Sequence, residues 1–180
     1  MGIKYVKMQV FNASQVPTSL YHMIIQGEKM ARFMKFAGRY GITLFFTPMY
    51  PEAIDLCDLL GVDFYKIRFG DRNNKELHDK LKDKTNLIFV STQNISDTIY
   101  SGKNIRYLYC APEYPADLPL YDPAYSISFH GISDHTKDFM LYRSAKKYDG
   151  FDWFEMHVCL DDLCVERPWS KKLDELKKFI

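Results

Sequence analysis

The sequence predicts one α/β domain spanning residues 1–180, a TIM-type (β/α) barrel of about seven parallel strands with helices outside. Three observations carry that prediction. Short apolar and aromatic runs alternate along the whole chain with segments of helical period. Counted strands end at Lys7, Thr47, Lys66, Ser91, Cys110, Ser133 and His157, and all but the Cys110 end carry a polar or ionisable residue. An open doubly wound sheet concentrates its polar ends at one switch point, whereas a barrel gathers functional side chains at every strand end. The third observation is the run His130-Gly131-Ile132-Ser133-Asp134-His135-Thr136, followed one repeat later by Glu155-Met156-His157. Two imidazoles at the ends of adjacent strands share one barrel mouth.

The elements follow in order. Residues 3–10 alternate, with Tyr5, Lys7 and Gln9 on one face and Val6, Met8 and Val10 on the other, as a strand requires. Leu20, Met23, Ile24, Met30, Phe33, Met34 and Phe36 have helical spacing that ends among Gly38 and Gly41. Thr43 to Thr47 is a short strand closed by Thr47-Pro48, and a helix runs from Pro51 to Gly61, with proline at its start and glycine at its stop. The alternation continues with a strand at 63–67, a helix at 74–84, a strand at 87–91, a short helix or turn near 96–100 and a strand at 105–110. A connection with Pro112, Pro115, Pro119 and Pro123 excludes a regular helix. The pattern then gives a strand at 126–130, a helix at 136–147, a strand at 151–157 and a closing helix at 170–180 capped by Ser170.

Composition limits the function. With 47% hydrophobic and 26% charged residues, a chain of 180 can bury one sizeable core. Twenty-four basic against 23 acidic residues leave a net charge of +1, too little to favour a nucleic-acid backbone. No apolar run reaches membrane-spanning length, and the opening strand with Lys4 and Lys7 does not read as a signal segment, so the expected location is the cytoplasm. Met-Gly at the start lacks the Ser or Thr that myristoylation needs. Cys57, Cys110, Cys159 and Cys164 form no CxxC pair and read as reduced structural thiols.

Few residues carry chemistry. Lys7 and Lys66 lie within strands among apolar neighbours, where an unpaired ammonium is costly, so either an anionic ligand or pairing with Asp71 or Glu155 must resolve them. Snorkelling to the surface is the other outcome. Ser91-Thr92 could donate hydroxyls to a phosphate or simply form a turn. His135 and His157 are stronger candidates, because two neutral imidazoles with open positions suit a catalytic divalent ion. His22, His78 and His130 lack that context.

Lys7-Met8-Gln9, Thr47-Pro48, Phe64-Tyr65-Lys66-Ile67 with Gly70-Asp71, Ser91-Thr92, Cys110-Ala111-Pro112-Glu113-Tyr114-Pro115, Gly131 to Thr136 and Glu155-Met156-His157 occur in that order. Together they resemble the catalytic barrel of the N-acetylneuraminate (sialic acid) synthase family, which includes spore-coat polysaccharide synthases. The resemblance implies metal-dependent condensation of phosphoenolpyruvate with an N-acetylated amino-sugar acceptor such as N-acetylmannosamine. The ion implied is manganese, with magnesium or cobalt as alternatives, held by His135 and His157. Lys7 and Lys66 are implied to bind the anionic groups of phosphoenolpyruvate, with Thr47, Ser91 and Ser133 adding hydroxyls. Gln9 and Tyr114 face the sugar, and Lys7, Gln9, Lys66 and Asp134 form the implied catalytic set. The family's first strand and helix and its C-terminal antifreeze-like domain have no counterpart, Phe69 replaces a phosphate-binding serine, and Pro112 replaces a polar sugar contact. Hence the barrel is expected to be truncated, with a second copy or another partner covering the seam. The alternative reading is a degenerate member that binds phosphoenolpyruvate, another anion or a protein partner without turnover.

Overall fold

A computed structural model of the chain describes residues 2–117, 128–147, 151–164 and 166–178. The fold is α/β and of the (β/α) barrel type that the sequence predicts, with a seven-stranded sheet in sequential order, β1 to β7. The strands are β1 (Tyr5–Val10), β2 (Thr43–Pro48), β3 (Phe64–Ile67), β4 (Leu87–Thr92), β5 (Ile105–Tyr109), β6 (Gly131–Asp134) and β7 (Trp153–Met156). The pairs β1–β2, β2–β3, β5–β6 and β6–β7 are parallel. Among the described residues, no helix is long and apolar enough to cross a membrane.

The chain divides into two compact units, one of Ile3–Phe89 with Ile99–Ile105, the other of Val90–Thr98 and Arg106–Ile180 with Met1–Gly2. In the first unit the helices α1 (Glu28–Gly38), α2 (Pro51–Leu59) and α3 (Lys75–Leu81) alternate with strands. Pro51 occupies the first turn of α2, where its missing N–H costs nothing, and Asn74 caps α3 by accepting from the N–H groups of Glu76 (3.1 Å) and Leu77 (3.3 Å). The rings of Phe45, Phe64 and Phe89 pack mutually at 5.8–6.0 Å between centroids. Such pairs add to the burial that holds β2, β3 and β4 together.

The second unit contains α4 (Met140–Ala145), α5 (Leu173–Leu176) and a small parallel pair, β8 (Val158–Cys159) with β9 (Lys171–Lys172). Its core is Tyr109, Phe129, Ile132, Leu141 and Ala145, with Phe151 and Phe154 packed against it. Gly131 is required in β6, because a Cβ there would lie 2.1 Å from the carbonyl oxygen of Trp153 on β7. Only glycine lets the two strands approach so closely.

Four expected elements differ. The helix expected through Leu20 to Phe36 is a 3₁₀ turn, Thr18–Met23, and then α1, because Gly27 at φ 51° turns the chain between them. The strand expected at 126–130 begins instead at Gly131; residues 118–127 lie outside the described residues, as do Pro119 and Pro123. The helix expected from Thr136 starts only at Met140, since Asp138 and Phe139 sit at φ 56° and 51°. The closing helix capped by Ser170 is reduced to α5 because Lys171 and Lys172 pair with Val158 and Cys159; residues 179–180 lie outside the described residues.

Candidate metal centre and anion-binding residues

Parallel register delivers the two histidines. Ser133 pairs with Glu155 and Asp134 with Met156, so the next residue on each chain, His135 and His157, leaves the β6–β7 ladder side by side. Their ring centroids are 5.0 Å apart at an interplanar angle of 76°. Imidazoles that bind one ion through nitrogens about 2.1 Å away place their centroids roughly 4.5–5 Å apart. The centroid separation of the two rings falls in that range.

Hydrogen bonds fix what each ring presents. His135 is only 4% exposed, and its Nδ1 lies 3.2 Å from the Ala111 carbonyl oxygen. A carbonyl only accepts, which assigns the proton to Nδ1 and leaves a lone pair on Nε2, 3.4 Å from the Ser133 hydroxyl. His157 Nδ1 lies 3.0 Å from Glu166 Oε2. Tyr114 stacks on His135 at 3.9 Å and 27°, meets His157 edge-on at 5.9 Å and Trp169 at 5.5 Å. The Tyr114 ring, nearly half exposed, walls both imidazoles.

Asp134, the residue before His135, is fully buried. One carboxylate oxygen accepts from the Thr136 N–H (2.8 Å) and hydroxyl (2.6 Å), the other from the Tyr142 N–H (2.7 Å). Burial raises its pKa against the opposing pull of those bonds and of nearby His157. These bonds tie the end of β6 to α4, so the carboxylate visibly anchors the loop that carries His135.

In the other unit, Lys66 is 3% exposed in β3, and its ammonium donates to the Ile67 carbonyl at 3.0 Å. Asp71, a partner considered for it, bonds Arg68 at 2.5 Å. Thr47 is fully buried on β2, and its Oγ1 has no hydrogen-bond partner among the described residues. Lys7 and Gln9 stand two residues apart on β1, partly buried, with Gln9 opposite Thr47 in register. Ser91, which belongs to the unit of the histidines, is buried near the end of β4. Phe69 lies under the Arg72 guanidinium, 4.1 Å from its centre.

The structure thus brings Ser133, Asp134, His135, His157 and Tyr114 together in one unit, and Lys7, Gln9, Thr47 and Lys66 into the other. The residue pattern gave no sign of Glu166 or Trp169. Their segment lacks a period, and the only signal was a carboxylate and an indole in the turn-rich stretch after a strand-end histidine. As for the ion, the donor set offers two imidazole nitrogens, and no group of three or more His, Cys, Asp or Glu suited to a metal occurs among the described residues. A cation would complete its coordination with water or substrate, as catalytic rather than structural ions do.

The family model described as the NeuB family matches residues 1–180. No curated protein sequence matches. Three solved structures are similar. An N-acetylneuraminic acid (sialic acid) synthetase from Leptospira borgpetersenii serovar Hardjo-bovis, in complex with citrate, is 16% identical at a TM-score of 0.73, over 98% of this chain and 70% of that one. A spore coat polysaccharide biosynthesis protein E from Chromobacterium violaceum is 16% identical at 0.74, over 99% and 63%. The spore coat polysaccharide biosynthesis protein SpsE from Bacillus subtilis is 18% identical at 0.73, over 99% and 58%. At these identities the likeness shows the fold, and the chain spans less than two thirds of the last two.

Proposed function

This chain belongs to the NeuB family, and on that premise we propose that it condenses phosphoenolpyruvate with an N-acetylated aldose such as N-acetylmannosamine. In the reaction the enolpyruvate methylene carbon bonds to the aldehyde carbon, water adds at the neighbouring carbon, and inorganic phosphate leaves. The observation that carries the reading is the pair of imidazoles, His135 buried and His157 half-buried, whose Nδ1 atoms are both held from behind, so that Nε2 is the nitrogen each would offer a cation, with the Ser133 hydroxyl 3.4 Å from that of His135. His135 and His157 would hold manganese, with magnesium or cobalt as alternatives. The ion supplies Lewis-acid polarisation of the acceptor carbonyl.

The chain's own residues have separable tasks. Lys66 and Lys7 neutralise the carboxylate and phosphate of phosphoenolpyruvate, and Thr47, Ser91 and Ser133 donate hydroxyl hydrogen bonds to them. Gln9 and Tyr114 orient the acceptor, Tyr114 offering an exposed ring face. Asp134 keeps the loop that carries His135 in place. A second copy or another partner belongs to the same proposal, as does a cytoplasmic location, and light scattering measures the mass.

A second reading, binding without turnover, is favoured by the engagement of both Asp134 oxygens in structural bonds, which leaves that carboxylate poorly placed to move protons. One experiment decides. The full chain is given manganese, phosphoenolpyruvate and N-acetylmannosamine, and phosphate release is followed beside His135→Ala. Phosphate release that depends on the sugar and is lost in the variant supports condensation. Phosphoenolpyruvate binding with no release, across the three metals and several aldoses, supports the second reading.

A further inference from the structure

His135 and His157 are held from behind by different means, and the difference identifies one more working residue. The acceptor behind His135 is a backbone carbonyl, whereas the acceptor behind His157 is the side chain of Glu166. We propose that Glu166 is a positioning residue: its carboxylate takes the Nδ1 proton of His157, fixes the tautomer with the lone pair on Nε2, and holds that nitrogen toward the cation. The inference rests on the reading of His157 as a metal donor.

Geometry supports it at three levels. An ionised carboxylate has only acceptors, so at 3.0 Å from Glu166 Oε2 the nitrogen Nδ1 carries hydrogen, and a neutral imidazole then has its lone pair on Nε2. The His157 side chain is only 10% exposed and cannot swing freely, while Glu166 at 36% keeps contact with water. The loop bearing Glu166 is itself pinned. The β8–β9 pair closes it, the Lys171 N–H bonds the His157 carbonyl at 3.2 Å, and the Arg167 guanidinium reaches Asp162 and Glu175, each at 2.8 Å, and the Ser170 carbonyl at 3.0 Å. Three residues beyond Glu166, Trp169 packs against Tyr114, which stacks on His135. One short segment therefore braces both imidazoles, and among its contacts Glu166 is the one that selects a tautomer.

The test uses the full chain with Glu166→Ala and Glu166→Gln, and with His157→Ala as reference. In metal-free protein, long-range nitrogen–proton NMR of His157 is expected to show hydrogen on Nδ1 in the wild type and in Glu166→Gln, whose amide oxygen still accepts. Glu166→Ala is expected to shift it toward Nε2. Manganese titration followed by electron paramagnetic resonance is expected to show roughly 10- to 100-fold weaker binding for Glu166→Ala, with most of the loss restored in Glu166→Gln. Melting curves for both variants check that the fold persists. Hydrogen on Nε2 in the wild type, or a Glu166→Ala protein with wild-type tautomer or wild-type manganese affinity, overturns the proposal. If His157→Ala binds manganese as the wild type does, the metal reading itself fails, and the tautomer measurement still decides whether Glu166 sets the state of His157.

Discussion

His135 and Lys66 are buried almost equally, at 4% and 3% exposure, yet their surroundings are satisfied in opposite ways. Around His135, acceptors already in the chain hold the back of each ring, and Asp134 binds three donors from Thr136 and Tyr142. Around Lys66, the fully buried Thr47 hydroxyl has no hydrogen-bond partner among the described residues. The difference follows from ligand charge. A cation needs lone pairs, which a chain can present while its own hydrogen bonds are complete. An anion needs donors in reserve, and a buried donor in reserve destabilises the protein until its ligand arrives. Damage near His135 should therefore cost stability, whereas damage near Lys66 should cost anion binding while stability holds or rises.

The largest expected effect breaks the first side of that comparison. Gly131→Ala places a methyl group 2.1 Å from the Trp153 carbonyl oxygen, and backbone cannot yield as a flexible side-chain tip can. The β6–β7 register must open, and that register sets His135 beside His157. A loss of about 3 kcal/mol in urea unfolding, with manganese binding lost as well, is expected. A Gly131→Ala protein with wild-type stability would show that the strands do not approach this closely.

Next comes Lys66→Met, which tests the second side. A charge-assisted contact to phosphoenolpyruvate contributes roughly 1.5–3 kcal/mol, so calorimetry should find affinity about 10- to 150-fold weaker. Stability should hold or rise, since a buried ammonium is replaced by an apolar chain of similar length. Unchanged affinity would remove Lys66 from the anion site.

Two carboxylates sharpen the comparison through pH. Asp134 is raised by burial, its bonds to Thr136 and Tyr142 compensating only in part, so its charged form opposes folding. That cost is present above the folded pKa and disappears as pH falls below the unfolded value, about 3.9. Burial also pushes Asp58 up, but bonds from Lys84 and Tyr65 outweigh it and hold the carboxyl low. Asp58 therefore adds stability above the unfolded pKa, and loses it as pH falls through the folded one. From pH 7 downward, the stability gap between wild type and Asp134→Asn should widen while that for Asp58→Asn narrows. Urea midpoints at several pH values measure both, and a narrowing gap at Asp134 contradicts its assigned environment.

Much of this was legible in the residues. Strand and helix alternation, Pro51 and Gly61 around α2, and the strand-end positions of His135 and His157 follow from local pattern, which is why the fold and the imidazole pair could be read in advance. The irregular parts could not. Gly27 splitting the first helical run, and Asp138 and Phe139 at positive φ before α4, depend on backbone conformations that hydrophobic period does not encode. The sequence also cannot show that the oxygens of Asp134 are bound by Thr136 and Tyr142. Glu166 escaped because it bonds a histidine nine positions earlier in the chain, with no periodic spacing to mark the pair.

The smallest effect is the most discriminating, because stability and binding should move in opposite directions. Thr47→Val keeps the shape of a fully buried β-branched side chain in β2 and removes only the hydroxyl whose oxygen lacks a partner among the described residues. Val suits a buried parallel strand, so packing is conserved. Removing an unsatisfied buried hydroxyl should raise unfolding free energy by about 1 kcal/mol. If that hydroxyl is held for phosphoenolpyruvate, the same change should weaken binding by about 0.5–1.5 kcal/mol, or 2- to 10-fold. Urea unfolding at constant slope and calorimetric titration read the two quantities on one preparation. A Thr47→Val protein that is less stable and binds phosphoenolpyruvate unchanged would mean that the hydroxyl serves the fold, and the contrast between donors in reserve and acceptors in place would fail at the residue that states it most simply.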